Sequence, residues 1–174
     1  MYAHLEPQVS GWWSGVLHPM ESPDQLLTML LVGLLGGVAV RAGRSSFTLP
    51  AVFVIGLLGW GLIGVGIDRR FDSQPVLYAL VAVLTVLLFV NPRFTGIVAP
   101  VVVLASGALH GLSHSTDANH AARPVAYAAG FVFTSGLLLA VGAIVGAAIG
   151  HAMKARCPAT VAARVASLDD RALV

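Results

Sequence analysis

Five long apolar runs separated by short polar breaks decide what this chain can fold into. They cover roughly residues 23–40, 47–67, 74–90, 96–113 and 124–153. A membrane-crossing helix needs about 20 mainly apolar residues, with a range near 17–25. The first and third runs are at the short end and call for local bilayer thinning, while the fifth is long enough to tilt or project. Charged residues make up only 10% of the chain, against about 25% in soluble domains. The sequence therefore predicts an all-α, polytopic transmembrane helical bundle of about five spans. A short N-terminal apolar segment, residues 9–20, precedes it. Ser10, Ser14 and His18 interrupt that segment, and it is too short to span. Residues 1–153 read as one transmembrane domain and residues 154–174 as a basic cytoplasmic tail.

The breaks carry turn and stop signals. Arg41-Ala42-Gly43-Arg44 closes the first run and Asp68-Arg69-Arg70-Phe71-Asp72 the second. Asn91-Pro92-Arg93 closes the third, because proline cannot continue a helix and asparagine favours a turn. The fourth break, residues 115–123, is polar and leads to Pro124, a good first-turn residue for the last span. No Lys or Arg occurs in residues 1–24, so the positive region of a secretory signal is missing. With five spans and the N-terminus outside, the cytoplasmic parts hold Arg41, Arg44, Arg93, Lys154, Arg156, Arg164 and Arg171. The outer parts hold Arg69, Arg70 and Arg123. That bias predicts a multi-pass protein of the bacterial inner membrane, N-terminus outside and C-terminus cytoplasmic.

Several function classes drop out. The basic residues punctuate the apolar runs and form no stripe, so no nucleic-acid site is expected. A lone cysteine, Cys157, excludes an internal disulfide and a multi-cysteine metal site. There is no Gly-rich phosphate loop, no nucleophile elbow and no pair of catalytic acids, so no enzyme is expected. Gly33 with Gly37, and Gly142 with Gly146, make small-residue faces that let helix backbones approach closely in lipid.

What remains is a pair of histidine constellations. The first is His18-Pro19-Met20-Glu21-Ser22-Pro23-Asp24, at the head of the first run. The second is His110-Gly111-Leu112-Ser113-His114-Ser115-Thr116-Asp117, at the end of the fourth. His110 and His114 lie within roughly 40° of each other on a helix, and Asp117 joins their stripe if the helix continues. Ionisable groups at membrane depth mark an ion, metal or proton site by default. Imidazole suits nickel, cobalt, zinc or copper, and a carboxylate compensates the ion's charge. The plainer alternative is that the histidines bond a neighbouring helix or sit in interfacial water. On the five-span topology both constellations face the outer side, so His18, Asp24, His110, His114 and Asp117 are the candidate metal ligands. Pro19 and Pro23 argue against regular helix through residues 18–24. His4, His120 and His151 stay outside the expected site.

These two stretches resemble the HupE/UreJ family of small bacterial membrane proteins, whose first motif has the form HPxxGxDHLLAMxxVG. Here that stretch is His18-Pro19-Met20-Glu21-Ser22-Pro23-Asp24-Gln25-Leu26-Leu27-Thr28-Met29-Leu30-Leu31-Val32-Gly33. The family's second motif, HGxAHGxE, is similar to residues 110–117. A third, GFxxATxxLHxxG, is similar to residues 130–142. The resemblance implies a hydrogenase- or urease-associated permease for nickel or cobalt. It carries over His18, Asp24, His110 and His114. Gln25 and Leu139 stand where the family has histidines, Asp117 where it has glutamate, and Ser22 and Ser115 where it has glycines. The family usually has about six spans and a cleaved signal. The expected function is binding and passage of a divalent transition metal. The competing expectation is a non-transporting structural or accessory subunit, packed against other membrane subunits of a larger complex. Both place the chain in a lipid bilayer.

Overall fold

The computed structural model describes residues 11–67, 74–90 and 92–155. Every regular element among them is helical: α1 (Trp12–Glu21), α2 (Pro23–Val38), a 3-10 turn (Ala39–Ala42), α3 (Thr48–Ile67), α4 (Gln74–Leu87), α5 (Pro92–His120) and α6 (Pro124–Ala155). His4, the Asp68-Arg69-Arg70 break and the tail from Arg156 on, with Cys157, lie outside the described residues.

Three helices are long and apolar enough to cross a membrane: Thr48–Gly66, Gly96–His120 and Pro124–Met153. Pro23–Val38 and Gln74–Leu87 are shorter apolar helices. At 16 residues, α2 is about 24 Å long, less than the roughly 30 Å of a hydrocarbon core. The N-terminal segment lies in series with it. A Cβ on Gly15 would strike the backbone of Tyr127 and Phe131. One on Gly33 would strike Leu139 and Ala143, and one on Gly37 would strike Ala143 and Ala147. The partner numbers rise along the chain, so α1 and α2 run in series beside α6 and in its direction. Helices α1 and α2 together thus extend along α6 from Tyr127 to Ala147, whereas the sequence placed the first apolar run in residues 23–40 alone.

The joint between them follows from proline chemistry. Ser22 is extended at φ −117° and ψ 111°, the conformation forced on a residue before proline. Pro23 then occupies the first turn of α2, where its missing N–H costs nothing. Regular helix flanks this single break on both sides, and Pro19 is accommodated inside α1. The expectation of irregular chain through residues 18–24 therefore holds only at Ser22.

The second correction concerns the fourth break. Helix α5 does not stop near Ser113 but runs to His120. The polar residues there bond their own helix. Ser113 Oγ donates to Leu109 O at 2.7 Å and Ser115 Oγ to Leu112 O at 2.7 Å. Asn119 Nδ2 donates to Val65 O at 3.2 Å, satisfying a carbonyl in the last turn of α3. The connection shrinks to Ala121–Arg123, which makes α5 and α6 an antiparallel pair.

Close backbone approach sets the packing. Gly107 meets Phe53 and Leu57, and Gly111 meets Leu57 and Gly61, so α3 and α5 lie side by side and parallel. Met29, Val32, Phe53, Leu84, Val103 and Leu139 fill the core between the helices. Leu62, Val101, Phe133 and Ile144 point outward, where an apolar surface of this kind is matched by lipid.

Candidate metal centre

The extension of α5 positions the site. His114 and Asp117 are three residues apart on one turn of it, and His114 Nδ1 lies 3.1 Å from Asp117 Oδ2. From α1, His18 Nε2 comes within 3.1 Å of the same His114 nitrogen and 3.7 Å of the carboxylate oxygen. These three ligand atoms, one from each residue, form the single group of metal-binding type among the described residues. An ion held at about 2.0–2.1 Å in tetrahedral geometry needs ligand atoms roughly 3.3–3.4 Å apart. The observed triangle brackets that value, so one ion fits it with little side-chain movement.

The surroundings are aromatic and mostly dry. The His18 ring packs on Tyr127 and Phe131 at centroid distances of 5.7 and 5.9 Å, and His114 packs on Phe131 at 5.4 Å. His18 and His114 are 22% and 13% exposed, whereas Asp117 is 51% exposed. The carboxylate therefore forms the solvent side of the group and the imidazoles its inner wall. A cavity of about 140 Å³ opens beside His114, between Leu57, Gly61, Gly111, Tyr127 and Phe131. Pockets for organic ligands run to about 300 Å³ and more, so the space suits a small species.

Of the five ligands expected from sequence, the structure brings three into contact. The other two are placed deeper. His110 is one turn further into the bundle on α5 and fully buried, at 0% exposure. Its Nδ1–H donates to Ser106 O at 2.8 Å. That bond leaves the Nε2 lone pair facing inward, and this atom has no partner. Asp24 on α2 is 1% exposed. Its Oδ2 and the nearby Thr28 Oγ1 are likewise buried without partners. Buried polar groups are paired in the great majority of cases, so unpaired donor atoms on both α2 and α5 are a second unusual feature below the triangle.

Sequence reasoning passed over Gln25, seen there only as a lost histidine. It is fully buried, and its Nε2 contacts His114 Nε2. Residues 18 and 25 would lie within roughly 20° of each other on a continuous helix, but the break at Ser22 removes that rule here. Leu139, the other replaced histidine, belongs to the apolar core and contributes no ligand. Tyr127 and Phe131 were missed as walls because aromatics in an apolar helix carry no distinctive mark.

Fold and site together define a helical membrane protein with a histidine–carboxylate cluster at one end of its bundle. The HupE / UreJ protein family matches residues 1–168, and the chain belongs to that family. Protein HupE of Rhizobium leguminosarum bv. viciae is 26% identical over 141 residues, covering 81% of this chain and 73% of that protein. No solved structure matches the chain.

Proposed function

We propose that this protein accepts a divalent transition metal, nickel or cobalt, at His18, His114 and Asp117 and passes it inward. The observation that carries the reading is the triangle of ligand atoms at 3.1, 3.1 and 3.7 Å, contributed by two segments 96 residues apart. Family membership supports the choice of ion, since HupE/UreJ proteins are hydrogenase and urease accessories associated with nickel and cobalt. Neutral imidazoles replace the ion's water, and the carboxylate offsets its charge. His110 Nε2 and Asp24 Oδ2, buried and unpaired, are the groups to which an ion leaving the triangle would move. The reading involves no catalysis.

The membrane setting proposed is the bacterial inner membrane, with the cluster and the N-terminus outside and the tail in the cytoplasm. A green fluorescent protein fused after Val174 is expected to fluoresce, because it folds in the cytoplasm. A C-terminal alkaline phosphatase that is active in its place reverses the orientation.

Binding also has a pH signature. Protons compete with the metal for imidazole lone pairs. The Zn²⁺ affinity of purified protein is therefore expected to change little near neutrality and to fall toward the acid end of a titration from pH 7.5 to 4, because imidazoles held out of water resist taking up a proton. The slope should approach two protons per ion, and drop to about one in His18→Ala. A pH-independent affinity across that range counts against imidazole ligation.

A further inference from the structure

Gln25 holds a position in this cluster that ion binding alone does not explain. It is at 0% exposure, its Nε2 meets His114 Nε2 and its Oε1 has no partner. An amide N–H can donate only to an imidazole nitrogen that carries a lone pair. With the amide turned so that Nε2 faces His114, the proton of neutral His114 sits on Nδ1, aimed at Asp117 Oδ2 and His18 Nε2, each 3.1 Å away. In this state the triangle is closed by hydrogen bonds. Nδ1, the atom an ion must take, is blocked by its own proton.

The two ends of a glutamine amide are nearly the same size. A half-turn of the Gln25 amide exchanges Nε2 for Oε1 at the contact. Oε1 then accepts a bond from His114 Nε2–H, and the Nδ1 lone pair is bared toward His18 and Asp117. We propose that Gln25 is a positioning residue that sets the tautomer of His114, its amide reversing as a divalent ion binds at Nδ1. This rests on the ion-site reading above. The exchange balances: the Nδ1 proton leaves to water beside the half-exposed Asp117 carboxylate, and Nε2 takes one up. The imidazole stays neutral throughout.

The chemistry accounts for an amide at this place. A carboxylate would only accept and would hold the ion-ready tautomer permanently. An aliphatic side chain would hold neither tautomer. An amide serves both states, so the empty site is hydrogen-bonded and the filled site is supported by an outer partner of the kind that orients metal-bound histidines. Such a site releases its ion more readily than a rigid one, as passage requires.

The test is a long-range ¹H–¹⁵N imidazole correlation on the full chain in detergent micelles, without ion and with Zn²⁺. In the wild type His114 is expected to carry its proton on Nδ1 when empty and on Nε2 when Zn²⁺ is bound; this readout needs no variant. Gln25→Glu is expected to show Nε2–H already in the empty protein and to bind Zn²⁺ about tenfold more tightly, and Gln25→Leu about 10–100-fold more weakly. Coordination through His114 Nε2, one tautomer in both wild-type states, or wild-type affinity in Gln25→Leu would overturn the proposal. If the wild type binds no Zn²⁺, the ion-site reading fails separately. The empty-state spectra still decide the role of Gln25: a different tautomer in Gln25→Glu upholds it, and the same tautomer overturns it.

Discussion

His114→Ala is expected to weaken Ni²⁺ or Zn²⁺ binding by about 100-fold or more, beyond the 10–100-fold typical of losing an outer partner. His114 is the hub of the cluster. Its Nδ1 faces both His18 Nε2 and Asp117 Oδ2 at 3.1 Å, and its Nε2 meets Gln25. Removing the ring leaves two ligand atoms in place of three, His18 Nε2 and Asp117 Oδ2 at 3.7 Å. The fold should survive, because Gly107 and Gly111, which seat α5 against α3, are untouched. Isothermal titration of the purified variant, with its helix content checked by circular dichroism, measures both. Undiminished affinity in a folded His114→Ala protein would move the ion away from this cluster. His110→Ala addresses a different step. It is expected to leave binding at the triangle within a few-fold of wild type and to slow uptake into metal-depleted cells, because His110 Nε2 lies one turn deeper.

The second large effect is structural and separates a self-contained bundle from a subunit that packs through its glycines. Gly142→Leu is expected to cost more than about 3 kcal/mol, above the usual range for overpacking, and to empty the membrane of folded protein. A Cβ at Gly142 would fall on the Leu30 carbonyl, and one at Gly146 on that of Leu34. These glycines are consumed inside the chain by the contact of α2 with α6. Gly59 and Gly136 differ: nothing lies within 4 Å of a Cβ at either. Gly136→Leu should therefore be tolerated, with an unchanged melting midpoint in detergent. A fall as large as that of Gly142→Leu would show that the face around Gly136 is covered by another protein, as the accessory-subunit expectation requires.

Much of this architecture was legible in the sequence, for identifiable reasons. Hydropathy marked the helices because lipid demands long apolar runs, and the breaks at residues 41–44 and 121–123 fell where chain direction changes. The meeting of the His18 and His114 stretches followed from counting spans, since α1 starts and α5 ends at the same face. The extent of α5 was hidden. Residues 115–123 read as a polar break, yet Ser115 bonds a carbonyl of its own helix, as Ser113 does just before it, and α5 reaches His120. Those extra two turns or so are what set Asp117 beside His114. The contribution of α1 was hidden too, because a ten-residue helix joined through Ser22-Pro23 looks like a separate segment until its contacts with α6 are seen. The split of the five expected ligands into an outer triangle and two deeper groups depends on side-chain directions at the α1–α2 joint. No spacing rule supplies those. Gln25 was read as an absence because it is not a histidine, although its burial and amide chemistry make it a partner of one.

The most direct measurement is X-ray absorption on the purified wild-type protein loaded with one equivalent of Ni²⁺. The expected spectrum shows two imidazole nitrogens and at least one carboxylate oxygen at about 2.0–2.1 Å, with one imidazole lost in His18→Ala and one in His114→Ala. A protein that retains no ion at micromolar Ni²⁺, or a first shell without histidine nitrogen, would contradict the assignment of this cluster as a metal centre.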